Sequence, residues 1–204
     1  MVNKLQPSNP LPPHPLPPKN FNTKELPTVI IQQTLYRLSS VEFPSSIYFD
    51  RSGYGRFDSP TQGYGILYVG MDVHTSWIEC YGRALGARGI AESDIKKRSL
   101  YFIDSDRELI LTDLTGGNLT KIGADARLSS GDYAIAREWG RAIHQHPQQV
   151  DGMRYRSRHD DDRYCYGLFN RCEQSIREEN LGNLVDSHPV LLGEILAHYD
   201  YGLL

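Results

Sequence analysis

Apolar residues recur along the chain in short runs separated by glycine-rich and polar stretches, and the spacing within each run predicts its element. Residues 1–25 come first, with seven prolines between Pro7 and Pro18. Proline lacks the N–H that a ladder or helix requires, so this stretch reads as an extended tail, with order beginning near Pro27. Val29-Ile30-Ile31 and Leu35-Tyr36 are β-branched or aromatic and predict a strand, alone or after a short helix, with Arg37 at its end. Ser45 to Gly65 is interrupted by Gly53, Gly55, Gly63 and Gly65 and reads as loop. Ile66-Leu67-Tyr68-Val69 is a short apolar strand closed by Gly70. Asp72 is placed to cap the next helix, whose apolar stripe is Val73, Trp77, Ile78, Tyr81, Ala84 and Leu85. Glu79 lies off that stripe. At 100° per residue it shares the opposite face with Thr75, Gly82 and Gly86.

The second half repeats the alternation. Ala91 to Arg98 is a polar helix turn or loop, and Leu100-Tyr101-Phe102-Ile103 and Leu109-Ile110-Leu111 are strand candidates. Thr115-Gly116-Gly117-Asn118 is a turn without the spacing of a phosphate loop. Asp132 caps a helix running to about His146, with Ile135, Ala136, Trp139, Ala142 and Ile143 on its buried face and Pro147 as the stop. If Val150 to Arg158 is extended, Arg154, Arg156 and Arg158 point one way and Met153, Tyr155 and Ser157 the other. Asp160-Asp161-Asp162 is a polar turn, Tyr164 to Phe169 a strand, and Pro189 to Tyr199 a short amphipathic helix. Short strands interleaved with two or three helices predict an α+β (mixed α/β) single domain over 26–204.

Composition narrows the class. At 204 residues, 39% hydrophobic and 23% charged, the chain has material for one buried core. A net charge of -3 gives no overall pull toward nucleic acid or anionic membranes. Cys80, Cys165 and Cys172 are odd in number and form no C-x-x-C pair, which suits small buried hydrophobes in a reducing compartment. With no leader-like apolar core and no apolar run of roughly 20 residues, a cytoplasmic location is expected. His144 and His146, two apart on a helix, diverge and read as helix-end histidines favoured by the dipole, so no metal site is expected.

The chemistry concentrates between Tyr36 and Glu79. Arg37, the Gly53–Pro60 loop with Arg56, Tyr68 and Glu79 place cations and one carboxylate beside glycines, a combination suited to an anionic, phosphorylated ligand. The residues alone leave alternatives open: Arg37 in a surface ion pair, Glu79 on a solvated face, or nucleic-acid contact through Arg154, Arg156, Arg158 and His159 with Tyr155 and Tyr164.

Four stretches in order resemble the RES domain, the toxin half of RES–Xre toxin–antitoxin pairs. Tyr36-Arg37 resembles the opening Tyr-Arg, and Gly55-Arg56-Phe57-Asp58-Ser59-Pro60 resembles Gly-Arg-Trp-Asn-x-Pro. Leu67-Tyr68-Val69 followed by Glu79 resembles the strand and helix carrying the family's Tyr and Glu, and Gly152 to Ser157 resembles the later Gly-φ-x-Tyr-x-Ser, where φ is apolar. The resemblance covers roughly residues 30–204. Phe57 for tryptophan and Asp58 for asparagine are departures that remove an indole N–H and add a charge. The resemblance implies a fold like that of ADP-ribosyltransferases and NAD as a substrate, without a cofactor. The implied reaction cleaves the nicotinamide–ribose bond, with water or phosphate as acceptor, or a macromolecule as the alternative. Within it Glu79, Arg37 and Ser157 are the expected catalytic residues, and Arg37, Arg56, Tyr68 and Ser157 the expected substrate-binding residues. The implied partner is an Xre-type helix-turn-helix antitoxin. Neither a membrane nor, for this chain alone, nucleic acid is expected, and a homodimer stays open.

Overall fold

The computed structural model describes residues 12–83 and 88–204. In chain order the elements are β1 (Thr28–Ile31), β2 (Leu35–Ser40), β3 (Ile66–Gly70), α1 (Val73–Tyr81), β4 (Gly89–Ile90), α2 (Glu92–Lys96), β5 (Arg98–Ser105), β6 (Leu109–Leu114), α3 (Gly117–Ile122), α4 (Arg127–Ser130), α5 (Tyr133–His144), β7 (Gly152–Arg156), β8 (Tyr164–Phe169), β9 (Ile176–Asn180), α6 (Leu184–Ser187), α7 (Pro189–Tyr199) and β10 (Gly202–Leu203). An eight-stranded sheet runs β1-β6-β7-β8-β3-β2-β5-β9. Its neighbours are antiparallel except β6 and β7, and β4 and β10 form a small parallel pair apart from it. The mixed α+β class is therefore observed.

Strand alternation divides the core. On β3 and β8, Ile66, Cys165 and Phe169 face a cluster with Trp139, Ala136 and Ile143 of α5. Leu67, Val69, Tyr166 and Leu168 face the other cluster, with Ile31, Ile103 and Leu111. A third cluster packs Trp77 and Ile78 of α1 and Leu192 and Ile195 of α7 over Leu38 and Leu100. The two predicted helix caps form: Asp72 Oδ1 accepts from the Thr75 N–H at 2.8 Å and Asp132 Oδ1 from the Ala134 N–H at 2.8 Å.

Several expectations need correction. The run from Val29 to Tyr36 makes two strands, because β1 pairs with β6 while β2 pairs with β5 and β3, so Arg37 lies inside β2 and not at a strand end. The first helix stops at Tyr81 with Gly82 as its cap, and Ala84, Leu85 and Gly86 lie outside the described residues. Gly116 and Gly117 lead into α3. Order begins before Pro27: Phe21 and Leu26 are buried core residues, and the segment from Pro12 is seated on the domain. Residues 1–11 lie outside the described residues.

Candidate functional site

β2 and β3 meet at Tyr36 opposite Gly70. Beyond that pair the strands part, and a cleft of about 520 Å³ opens between them, within the size range of small-molecule sites. Gly70 lets the chain turn at once into α1: a Cβ there would lie 2.8 Å from Thr75 Cβ and 3.0 Å from the Ser76 nitrogen. Arg37 reaches across the split, donating from Nη1 to the Tyr68 carbonyl at 2.6 Å. Its Nε is buried with no partner among the described residues, and desolvation lowers the guanidinium's pKa.

The Gly53–Pro60 loop forms another wall. Arg56 is 6% exposed. Its Nη1 donates to the carbonyls of Gly131 (3.0 Å) and Leu128 (3.4 Å), and the guanidinium stacks 4.4 Å from the Tyr133 ring centre. Nη2 is buried without a partner among the described residues, and burial lowers this guanidinium's pKa as well. Asp58, fully buried, organises the loop. Its Oδ2 accepts from the Gly55 N–H at 2.7 Å and its Oδ1 from the Tyr68 hydroxyl at 2.7 Å. The Tyr68 oxygen in turn accepts from the Phe57 N–H at 2.9 Å. The charge that distinguishes Asp58 from the resembled asparagine is thus spent inside the loop. The Tyr68 hydroxyl is occupied there too, which leaves its ring as the part that lines the cleft. Burial first, then Asp58, raises the phenol's pKa far above its usual value. Gly55 is required here, since a Cβ would collide with Asp58 and lie 2.7 Å from the Tyr68 oxygen. Phe57 is a core residue, edge-on to Tyr155 with ring centres 4.9 Å apart.

Glu79 hangs from α1 on the cleft wall, beside Thr75. Ser157, just beyond β7, is 3% exposed and donates to Glu79 Oε1 at 2.5 Å. The Ser157 oxygen accepts from the N–H groups of His159 (3.1 Å) and Asp160 (3.2 Å). Its lone pairs are engaged by amides, so its proton is directed at the carboxylate. Arg163 fastens this turn to the start of α1, pairing with Asp72 and with Asp160 at 3.2 Å. Cys165 lies buried on the same wall, and desolvation followed by the Glu79 charge pushes its thiol well up, so it stays protonated.

The fold therefore gathers Arg37, Arg56, Tyr68 and Glu79 around one cleft, with Ser157 behind Glu79. It also brings in residues the sequence reading did not assign to this site: Arg83, Arg98, Arg158, Tyr133 and Asp50. Among the described residues, arginines at 37, 56, 83, 98 and 158 face carboxylates at 50 and 79, so the cleft carries an excess of positive charge suited to a polyanion. A neighbouring depression of about 510 Å³ shares Cys80 and Arg98 but not Glu79.

The expected row of three arginines is divided. Arg154 is held by Asp113 (2.8 Å), and it and Arg156 stack on Tyr164, whereas Arg158 lies past the strand end and lines the cleft. The dipole reading of the two histidines also fails. His144 stacks on Tyr64 with ring centres 4.3 Å apart, and burial, then Arg171, lowers its pKa to about 4. His146 lies beyond α5, buried, with Nδ1 accepting from the Gln148 N–H (3.2 Å) and Nε2 3.1 Å from the Lys24 carbonyl. Among the described residues no three His, Cys, Asp or Glu side chains group as metal ligands, and no helix is long and apolar enough to cross a membrane. The three cysteines are free.

No curated protein matches the sequence. The fold is similar to that in the crystal structure of the M. tuberculosis MbcT-MbcA toxin-antitoxin complex. That match has a TM-score of 0.62 and 17% identity, over 83% of this chain and 92% of the other. The RES domain family matches residues 34–190, a span that contains Arg37, Arg56, Tyr68, Glu79 and Ser157. The chain belongs to the RES domain family.

Proposed function

We propose that the cleft binds NAD and cleaves its nicotinamide–ribose bond, with water or inorganic phosphate accepting the ADP-ribosyl group. One observation carries this reading: a carboxylate, Glu79, oriented by a 2.5 Å hydrogen bond from Ser157 on the wall of an arginine-lined cleft. As the glycosidic C–N bond breaks, its electron pair leaves with neutral nicotinamide and positive charge develops on the ribose, as in glycoside hydrolysis. Glu79 stabilises that charge near the 2′-hydroxyl and anomeric carbon. Water then bonds through its oxygen to the anomeric carbon and releases a proton to solvent, or phosphate bonds through an unprotonated oxygen.

Arg37 and Arg56 suit the pyrophosphate. Each has a buried N–H without a partner among the described residues, which a phosphate oxygen would satisfy. Ser157 acts in this reading by holding Glu79, since its proton is already committed. Tyr68 contributes its ring face and keeps the Arg56 loop in shape.

The family and the solved toxin-antitoxin relative support a toxin role and an antitoxin as partner, and we propose that this antitoxin is of the Xre helix-turn-helix kind. Such a toxin would act in the cytoplasm, where NAD is available. The testing experiment is nicotinamide release by purified protein, with and without phosphate, beside Glu79→Ala. Release that requires Glu79 is expected, and equal release by the variant would remove Glu79 from the mechanism. Labelled NAD with cell extract separates small acceptors from a macromolecular one, because transfer leaves label on macromolecules.

A further inference from the structure

The proline segment has a place in the fold that the proposed chemistry does not use. From Pro12 to Pro18 it runs along α4 and α5, fastened by carbonyls, the backbone polar group that proline retains. Arg127 donates from Nη1 to the Pro12 carbonyl at 2.7 Å and from Nη2 to the Pro13 carbonyl at 3.2 Å. The Trp139 indole N–H donates to the Pro15 carbonyl at 2.9 Å. His14 packs beside Gly131, where a Cβ would lie 3.4 Å from its Nδ1. Past Pro18 the chain enters the core at Phe21, edge-on to Trp139 with ring centres 5.2 Å apart.

The same short helix aims Arg56. Leu128 of α4 and Gly131, its C-cap, supply the carbonyls that hold Nη1, and Tyr133, the first residue of α5, stacks on the guanidinium. A four-residue helix has too few hydrogen bonds to hold itself, so its position is set by what packs on it.

We propose that residues 12–18 are a positioning element for Arg56: seated, they hold the Arg127–Gly131 turn and so aim the guanidinium at a diphosphate. This rests on the reading that Arg56 binds a pyrophosphate, and the strap adds to it a built-in support from outside the four family-like motifs.

The test is calorimetric titration of inorganic pyrophosphate onto the full chain. It is repeated on a Pro12→Gly, Pro13→Gly, Pro15→Gly variant, on Arg56→Lys, and on the two combined. The glycines keep every carbonyl but enlarge the conformational freedom of the unseated strap, and a loss of about tenfold in affinity is expected. Arg56→Lys should lose a similar factor, and the combination should lose no more than either alone. Unchanged affinity in the glycine variant, or losses that multiply, would overturn the proposal. If the glycine variant does not fold, Arg127→Gln, which releases Pro12 and Pro13, is judged by the same two criteria. Pyrophosphate binding without nicotinamide release would sink the NAD reading and leave the strap standing. An unaltered chain that binds no pyrophosphate overturns the strap's role together with that of Arg56.

Discussion

Ser157 and Asp58 show how much a single buried oxygen can decide. Ser157 has one proton to give and gives it to Glu79, so Ser157→Ala leaves the carboxylate in place but free to swing. Nicotinamide release should fall roughly tenfold to a hundredfold in kcat, with KM for NAD little changed, because misplacing a reacting group costs on that order. Steady-state kinetics checks this, and a change confined to KM would speak against the orienting role. At Asp58, two donors converge on one carboxylate. Asp58→Ala should cost about 2–3 kcal/mol in urea unfolding, since it strands the Gly55 N–H and the Tyr68 hydroxyl inside the protein. Asp58→Asn should cost less, about 1–2 kcal/mol, because an amide oxygen still accepts from Gly55 and its NH₂ can donate to the Tyr68 oxygen, while the Tyr68 proton loses its acceptor. Arg37, Arg56, Tyr68, Glu79 and Ser157 were legible as candidates because they stand in short motifs. Tyr133, Arg83, Arg98 and Arg158 were not, because no local pattern ties them to a cleft formed by distant elements.

Among the elements, α1 is the one whose placement matters most. Glu79 rides on it, and its start is set by a direct turn out of β3 at Gly70. Gly70→Ala would push a methyl against Thr75 and Ser76, both within 3.0 Å of the added carbon. The helix must then lift from the strand. The expected cost is about 1–3 kcal/mol of stability, together with a fall in nicotinamide release. Loss of stability without loss of release in the folded variant would show that Glu79 tolerates the shift. Both helix caps and the apolar stripe of α5 were readable from spacing, since they depend on neighbours within one or two turns. The separate pairing of β1 and β2 was not, because the run between Val29 and Tyr36 carries no record of which partner each half will find.

For the whole molecule, acid sensitivity follows from how the sheet and α5 enclose His144. Its pKa, ordinarily 6.5, is lowered to about 4 by burial and then by Arg171. The folded state therefore binds fewer protons than the unfolded chain between those values. The stability held by the neutral ring is complete above pH about 6.5 and is lost as pH falls toward about 4. Thermal unfolding from pH 7.5 to 4.5 should show a falling Tm, and His144→Phe, which keeps a ring against Tyr64, should flatten part of that fall. An identical pH slope in the variant would acquit His144. The sequence by itself determined the α+β class, both helix caps, the thiol-only cysteines and the order of the family's motifs, because each rests on composition or on residues a few positions apart. Tertiary structure alone decided that β2 and β3 part at Arg37 and that Ser157 meets Glu79 across 78 positions of chain. It also decided that Pro12 and Pro15 are hydrogen-bonded to α4 and α5 through their carbonyls. These are contacts between segments far apart in sequence, and the order of strands in the sheet, which no local pattern encodes, brings them together.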